Sequence, residues 1–298
     1  MTDAGTLLLV GPVTIDVIDG ERRAGGGVAY AATVATAFGV RARVLTACAD
    51  DANLTALEGH DVHVVRDAHT LTFGFVDGPT GRELRVLAKP EHQLSAADLP
   101  AGWQHSEALM LAPLIEGDID VDSFTAIGGG FGQFAVLTQG LQRTVEADGH
   151  YLSGPRLFSL VRTCTTGYSF FRSTREAQSW EPADEAAILA RGGSIVTTRA
   201  EQGADIAQGG DTLHVAPFPV DHAVDTTGAG DVFAAALILA MDDGIDVAGA
   251  LAAAFAAASV EQLGLAPLPD RAEIMRRLVA AGRLPEHAPG ERERGASR

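Results

Sequence analysis

The sequence predicts an α/β fold in which a mostly parallel sheet is covered by helices on both faces. Residues 7–10, 108–111 and 134–137 are apolar at successive positions, which is typical of strands buried on both faces. Helix-forming segments such as residues 28–38 and 183–190 lie between such runs. Strands that alternate with helices along the whole chain favour a layered α/β architecture.

The composition is that of an acidic globular protein. The chain has 298 residues, of which 46% are hydrophobic and 20% are charged, and its net charge is −17. This length allows one large core, or one domain with a small appendage. The negative charge opposes binding to nucleic acid or to anionic membranes, so we expect a partner of neither kind.

Single residue types exclude several other classes. Lys89 is the only lysine and has no glycine-rich loop before it, so a P-loop kinase is not predicted. Cys48 and Cys164 lie in apolar or threonine-rich segments without metal-ligand spacing, and we expect two reduced, buried thiols. We recognise no signal peptide or spanning segment near the start, so the cytoplasm is the expected location.

The first apolar run continues through Pro12 into residues 14–18, where Asp16 is the single acid. A carboxylate at a strand end can face a ligand, and the alternative is a surface turn acid. Three glycines at residues 25–27 then open the helix of residues 28–38. They follow a further polar loop and not the first strand directly, so the dinucleotide-binding fingerprint does not match.

A β-hairpin interrupts the α/β alternation. Residues 70–76 and 83–87 flank an Asp-Gly turn with alternating polarity, which is a strong hairpin pattern. Such an insertion is a lid, a homodimer contact or an edge hairpin without function. Because the loop of residues 19–24 is short, we expect most of a lid from residues 69–89, with a smaller part from residues 17–24.

The most informative stretch is Asp-Thr-Thr-Gly-Ala-Gly-Asp at residues 225–231, followed by an apolar helix at residues 232–241. The N–H groups at the start of that helix form a site for an anion such as phosphate. Asp231, in the first turn, could take a proton from a hydroxyl that attacks phosphorus. The alternative is that Asp225 caps the helix and Asp231 is an ordinary first-turn acid.

This stretch resembles the signature of the ribokinase-like (PfkB) carbohydrate kinase family. The resemblance implies a ribokinase-like three-layer sandwich with a small β lid over residues 1–282, followed by a disordered tail at residues 283–298. It also implies phosphoryl transfer from Mg²⁺-ATP to a substrate hydroxyl. Asp231 would be the catalytic base, and the N–H groups of Gly228, Ala229 and Gly230 would stabilise the transferred charge.

By the same resemblance, Asp16 with Gly26 and Gly27 would hold substrate hydroxyls, and Tyr30 lies close to the place of a family asparagine. Gln-Gly-x-x-Arg at residues 139–143 is similar to a pattern of the inositol-kinase branch, which puts Arg143 at the substrate or a phosphate; the alternative is an arginine that closes a turn. The implied acceptor is a small sugar or cyclitol.

Two alternatives stay open for the function. The first is a nucleoside kinase that phosphorylates a 5′-hydroxyl, with Phe73, Phe75 or Tyr30 clamping the base. The second is a non-catalytic homologue that only binds a small molecule.

On the donor side, Ser173 to Glu176 stands where the family has Asn-x-x-Glu, a motif linked to Mg²⁺. Glu176 is therefore the implied metal ligand, and the alternative is a capping box. Residues 198–203 fit the family pattern Thr-x-Gly-x-x-Gly except at Ala200. The residues expected to bind ATP are Thr198, Gly203, Asp225, Thr226, Gly228 and Gly230.

Overall fold

The computed structural model describes residues 7–78, 81–146, 149, 151–153 and 164–285. The predicted tail from residue 286 onward and the side chain of Phe75 lie outside the described residues. The described strands are β1 Leu7–Val10, β2 Thr14–Ile18, β3 Glu21–Gly25, β4 Arg43–Cys48, β5 Asp61–Arg66, β6 Leu71–Gly78, β7 Gly81–Ala88, β8 Ala108–Leu111, β9 Gln133–Leu137, β10 Arg143–Val145, β11 Tyr151–Ser153, β12 Tyr168–Ser173, β13 Ser194–Thr198, β14 Ala204–Gln208 and β15 Asp211–Val215. The described α-helices are α1 Gly27–Ala37, α2 Val121–Ile127, α3 Thr174–Ala177, α4 Pro182–Ala190, α5 Ala229–Leu239, α6 Ile245–Val260 and α7 Arg271–Ala280. Short 3-10 helices cover Thr55–Leu57, Ala96–Asp98, Trp103–His105, Gly128–Gly130, Gly140–Gln142, Ala200–Gln202 and Met241–Asp243.

Nine strands form the central sheet in the order β15-β14-β13-β12-β9-β8-β1-β4-β5. All neighbouring pairs from β13 to β5 are parallel, and only β14 and β15 at one edge are antiparallel. The chain proceeds from β1 to β4 and β5 on one side, and later from β8 outward on the other. The direction of winding therefore reverses between β1 and β8, and in open α/β sheets ligands bind at the carboxyl ends of the strands beside such a reversal.

The central strands are buried on both faces, as their continuous apolar runs predict. Leu7 and Leu9 belong to one core cluster, which the sheet shares with α1, α5, α6 and α7. Leu8 and Val10 point the opposite way, into a second cluster with α2 and α4. Because side chains alternate along a strand, one short run supplies both cores. The result is the three-layer α/β architecture.

Helix α5 is enclosed by its neighbours. Residues 232–238 are all buried, and the helix packs against both α1 and α6. Alanine is frequent in all three helices, so their backbones approach closely. This packing fixes the start of α5, and with it the glycine-containing loop, relative to the sheet.

A second sheet has four strands in the order β3-β2-β6-β7. The expectation that residues 14–18 continue β1 was wrong, because β2 leaves the central sheet after Pro12 and pairs with β3 and β6. Strands β2 and β3 form a hairpin with Asp19 in the left-handed region, at φ 53°, and Gly20 beside it. This tight turn lets a short segment supply two full strands of the second sheet.

Both cysteines are reduced and buried. Among the helices of the described residues, none combines the length and the apolar character needed to cross a membrane.

One half-buried histidine, His60, is expected to make the stability of this fold depend on pH. His60 Nδ1 accepts a hydrogen bond from the Ala42 N–H at 3.1 Å, while Nε2 lies 3.1 Å from the Ala32 carbonyl oxygen. Burial lowers the pKa of His60, although its contact with the Ala32 carbonyl opposes this. The neutral ring is thus favoured in the folded state, and its contribution to stability is lost as the pH falls below the unfolded value of about 6.5.

We expect the wild-type protein to lose more thermal stability between pH 8 and pH 5 than a His60→Gln variant loses. The variant should be the less stable of the two at pH 8, where the neutral histidine keeps its contacts. Melting temperatures of both proteins across this range measure the difference. Parallel pH curves for the two proteins would show that His60 does not titrate on unfolding.

Candidate active site

A pocket of about 460 Å³ opens at the carboxyl ends of the central strands, where the winding reverses. Its walls come from the carboxyl ends of β9, β12 and β13, from the residues just after β8, from the second sheet, and from the starts of α1 and α5. Of the predicted site residues, those lining it are Asp16, Gly26, Gly27, Tyr30, Arg143, Glu176, Thr198, Thr226, Gly228, Gly230 and Asp231.

The loop before α5 depends on Gly228. This residue is in the left-handed conformation, with φ 76°, and caps the helix start. A Cβ atom there would overlap the ring of Tyr30. Only glycine combines this backbone conformation with such a close approach. The first intrahelical hydrogen bond runs from the Val232 N–H to the Gly228 carbonyl, at 2.9 Å. The N–H groups before Val232 therefore have no i−4 partner within the helix.

Asp225 braces this loop from behind. Its Oδ1 accepts a hydrogen bond from the Thr227 N–H at 2.9 Å, and its Oδ2 accepts one from the Gly264 N–H at 3.2 Å. Burial would raise the pKa of Asp225, but the hydrogen bonds from Thr227 and Gly264 and the charge of Arg23 outweigh it and lower the pKa. Asp225 is thus an ionised structural acid and is not among the residues that line the pocket.

Asp231 sits in the first turn of α5, at the floor of the pocket. A Cβ atom on Gly27 would lie 2.9 Å from Asp231 Oδ1, so the backbone of α1 packs directly against this carboxylate. Burial raises the pKa of Asp231 to about 7; the negative charge of Glu176 acts in the same direction and the positive charge of Arg143 opposes it. A carboxylate with a pKa near 7 is suited to accept a proton at neutral pH.

Asp16 presents a second carboxylate from the other side of the pocket. It lies on β2, and its Oδ1 accepts a 3.2 Å hydrogen bond from the Thr14 hydroxyl on the same face of the strand. Burial raises the pKa of Asp16, the Thr14 hydrogen bond lowers it, and the charge of Asp225 raises it further. Gly26, at φ 103°, allows the chain to pass close to Pro12 and Val13, which brings α1 under β2.

Tyr30 is only 4% exposed and lies close enough to Asp16 and Asp231 for both charges to act on it. Burial raises its pKa, as do the negative charges of Asp225, Asp16 and Asp231, so the phenol stays protonated. Its ring supports Gly228, and its position in the pocket wall leaves it available to a ligand.

Glu176 has a structural role as well as a place at the pocket. Its carboxylate accepts a 2.7 Å hydrogen bond from the Ser173 N–H, and the Ser173 hydroxyl accepts one from the Glu176 N–H. The capping box is therefore present, and Glu176 also lines the same pocket as Asp231. Among the described residues, no group of three or more acidic, histidine or cysteine side chains could hold a metal ion. A Mg²⁺ ion here would be bound mainly through phosphate oxygens, with Glu176 as the protein ligand.

The predicted donor residues divide into two groups. Thr198 lies at the end of β13 and lines the pocket, and its hydroxyl donates to the Arg172 carbonyl at 3.4 Å. Gly203 is required for the backbone structure instead. Its φ is 85°, and a Cβ atom on this residue would overlap the Val215 carbonyl. Gly203 and Ala229 are not among the lining residues of the pocket.

Several lining residues were missed from the sequence. Thr14 had a usable signal, because it stands two positions before Asp16 and so shares its strand face. Leu114 follows β8, and Gln139 follows β9, at the edge where ligands bind in such sheets. The sequence suggests Phe73 only as an aromatic side chain that could clamp the base of a nucleoside. It lies on the pocket face of β6, beside Asp16 on β2.

The comparisons with known proteins agree with this geometry. Residues 171–271 match the family model of pfkB family carbohydrate kinases. The matched region includes the signature stretch at residues 225–231. This confirms the resemblance seen in the signature stretch. No curated protein matches the sequence.

Comparison with solved structures extends the likeness from this region to the whole fold. A pyrophosphate-dependent myo-inositol-1 kinase, converted into a myo-inositol-3 kinase by mutation, has a TM-score of 0.72 and 19% identity, with 93% of this chain and 100% of that chain covered. The ribokinase of Arabidopsis thaliana with ribose and ATP has a TM-score of 0.70 and 18% identity, with 92% and 99% covered. The nucleoside kinase of Methanocaldococcus jannaschii has a TM-score of 0.69 and 16% identity, with 93% and 99% covered. The ribokinase-like fold predicted from the sequence is thereby confirmed.

Ala200 departs from the glycine pattern of the PfkB family but keeps the backbone that glycine favours. Its φ is 49°, in the left-handed region. A non-glycine residue there is strained by about 1–2 kcal/mol. We expect Ala200→Gly to keep or raise the free energy of unfolding, by up to about 1 kcal/mol, because the relief of strain exceeds the entropic cost of glycine.

The matched control is Ala207→Gly in the middle of β14, where the backbone is extended. That change should destabilise the protein by about 0.5–1 kcal/mol. Urea unfolding of the two variants tests the prediction, and equal destabilisation by both would contradict it.

Proposed function

We propose that this protein is an ATP-dependent kinase that transfers the γ-phosphoryl group to a hydroxyl of a small sugar or cyclitol. The observation that carries the proposal is the position of Asp231. This carboxylate, with a pKa near 7, shares one pocket with the first turn of α5 and with a second carboxylate, Asp16. A base, an anion site and an acceptor-binding group are thus combined within one cavity.

The reaction uses these groups in an order set by their chemistry. Asp16 and Tyr30 orient the acceptor, and Asp231 takes the proton of its hydroxyl. The hydroxyl oxygen forms a bond to the γ-phosphorus while the bond from that phosphorus to ADP breaks, and the proton stays on Asp231. The N–H groups at the start of α5 and the Arg143 guanidinium stabilise the negative charge on the transferred group.

The donor side supports a nucleotide. Three exposed hydrophobic residues border the loop before α5. They are Val220, Val224 and Leu263, whose exposed fractions are 38%, 51% and 55%. Their segments are joined, because the Val224 N–H donates to the Val260 carbonyl at 2.7 Å. An apolar surface beside a phosphate site suits the base of a nucleotide and has no use in binding pyrophosphate. We therefore favour ATP, and Mg²⁺ would supply charge neutralisation at its phosphates, next to Glu176.

The acceptor end favours a polyhydroxylated ring. The Asp16 carboxylate, the Tyr30 hydroxyl and the Arg143 guanidinium are polar groups that can bind several hydroxyls of one small molecule. The second sheet would act as a lid that excludes water. We place the reaction in the cytoplasm, where ATP is available, and the lid hairpin remains a candidate homodimer contact.

Phe73 gives weight to a second candidate, a nucleoside kinase. Its side chain lines the pocket opposite the start of α5, together with Leu84 of β7. An aromatic ring and a leucine on the lid could cover a planar base, while Asp16 binds the hydroxyls of the ribose.

We expect Asp231→Asn to reduce phosphoryl transfer by about 10²–10⁴-fold, because the general base is lost. Folding and ATP binding should stay near the wild-type level. The measurement is ADP release from Mg²⁺-ATP with myo-inositol, hexoses, pentoses or nucleosides as acceptor, and phosphate transfer from pyrophosphate in parallel.

Asp211→Asn, an exposed change on β15, is the matched control and should leave the rate unchanged. An acceptor used by wild type but lost in Asp231→Asn identifies the substrate class. Turnover retained by Asp231→Asn would exclude Asp231 as the base, and tight metabolite binding without turnover by wild type would favour the non-catalytic homologue.

The raised pKa of Asp231 predicts the pH dependence of the reaction. Because the base must be ionised, kcat/KM should rise with pH and level off above about pH 7. A plot of log kcat/KM against pH should have one rising limb of unit slope. Glu176→Gln keeps an oxygen for the capping box but removes a charge that raises this pKa, so the limb should move to lower pH. Rate profiles of both proteins between pH 5 and 9 measure the shift. A limb that moves to higher pH in the variant would contradict the assignment.

A further inference from the structure

The acceptor wall of the pocket consists of two chain segments that are packed against one another. Pro113 and Leu114 follow β8, while Gln139 and Arg143 follow β9. The segments meet at Gly140, whose N–H donates to the Pro113 carbonyl at 3.1 Å. A Cβ atom on Gly140 would overlap the backbone of Pro113 and Leu114. The glycine of the Gln-Gly-x-x-Arg pattern is therefore required by this close contact.

Two further hydrogen bonds tie Arg143 to the segment of residues 113–118. The Glu116 N–H donates to the Arg143 carbonyl at 2.8 Å. The Thr144 hydroxyl donates to Glu116 Oε2, also at 2.8 Å. Since Glu116 holds the backbone of Arg143, the position of Arg143 is coupled to that of residues 113–118.

Asp118 organises the segment from inside. Its Oδ2 accepts hydrogen bonds from the N–H groups of Leu114 at 2.7 Å and Ile115 at 3.1 Å. Its carbonyl accepts one from Leu94 at 3.0 Å, which anchors it to the main body. Asp118 Oδ1 is buried and has no hydrogen-bond partner within the part of the chain that is described. Asp118 does not line the pocket, so it cannot contact a ligand there.

A buried carboxylate with one unpaired oxygen costs stability at neutral pH. Burial raises the pKa of Asp118 to about 7, although the N–H groups of Leu114 and Ile115 lower it. An apolar residue would avoid this cost but could not bind both N–H groups. The free-energy cost of burying Asp118 therefore comes with the hydrogen bonds that shape residues 113–118. It brings no gain in the packing of the core.

We propose that Asp118 is a positioning residue for acceptor binding: by fixing residues 113–118 it holds Leu114 and, through Glu116, Arg143 in place at the pocket. The proposal rests on the proposed kinase function for its consequence in catalysis. The positioning itself can be measured without any substrate.

Hydrogen exchange of the whole protein, read by mass spectrometry, tests the positioning. Asp118→Ala should speed exchange at least tenfold in peptides that cover residues 113–118 and also in those that cover residues 143–145. The control is Asp120→Ala, which removes a helix cap that accepts from the Ser123 N–H at 3.3 Å. It should speed exchange only in residues 121–127. Unchanged exchange at residues 143–145 in Asp118→Ala would overturn the inference, whether or not the kinase reaction is found.

Kinetics test the consequence, with the best acceptor among myo-inositol, D-ribose and adenosine. Asp118→Ala should raise the KM for the acceptor at least tenfold, with the KM for ATP within twofold of wild type. Asp118→Asn, which keeps an acceptor oxygen, should restore the acceptor KM to within threefold. Thr144→Val, a milder change of the same network, should raise it two- to threefold.

Equal changes in both KM values, or a loss in Asp118→Asn as large as in Asp118→Ala, would overturn the positioning role. If no acceptor is turned over by wild type, the proposed function fails and the exchange result alone decides the inference.

Discussion

The structure depends on the close approach of the N-termini of α1 and α5, which is possible because a glycine lies at each. Gly27 begins α1 beside the Asp231 carboxylate, and Gly228 begins α5 against the ring of Tyr30. Because there is no Cβ atom at either glycine, the two N-termini converge on one point of the pocket. Each contributes the positive end of a helix dipole. An anion is thus favoured where Asp231 can reach a neighbouring hydroxyl.

Under the proposed function, this convergence would allow an acidic chain to hold an anionic donor. The net charge is −17, and four carboxylates lie at or near the pocket: Asp16, Glu176, Asp225 and Asp231. With a single lysine in the chain, positive charge comes from the helix ends and from arginine. Burial raises the pKa of Asp231 and the negative charge of Glu176 adds to this effect, which suits the proposed role of Asp231 as a base at neutral pH.

The second sheet and the acceptor wall form a unit of their own. Leu71, Phe73 and Val86 of the sheet share a small hydrophobic cluster with Leu114 and Ile115 of the wall. Strand β7 also reaches the region after β10, because the Val86 N–H donates to the Gly149 carbonyl at 2.9 Å. This cluster is separate from the two large cores, and under the proposed function we expect the sheet and the wall to respond together to an acceptor.

The sequence by itself determined the α/β class, the signature loop and the place of Asp231 in the first turn of an apolar helix, because these depend on local patterns. Continuous apolar runs predict strands buried on both faces, and a glycine-containing turn before an apolar helix predicts an anion site. The hairpin at residues 70–87 was also visible, because alternation and an Asp-Gly turn are local. The family pattern placed Asp16, Gly26, Gly27, Tyr30 and Arg143, and all of them line the observed pocket.

Only the tertiary structure decided which sheet each segment joins and which residues support the site from behind. Strand β2 looks like a continuation of β1, and its pairing with β3 and β6 depends on partners far along the chain. Gly203 matches a binding motif, yet its conformation is required by Val215 in a neighbouring strand. Asp118 carries no motif at all, and its role follows from hydrogen bonds that form only once Leu114 and Ile115 fold over it. Patterns along the chain record local geometry, whereas contacts between distant segments arise from the packing of the whole molecule.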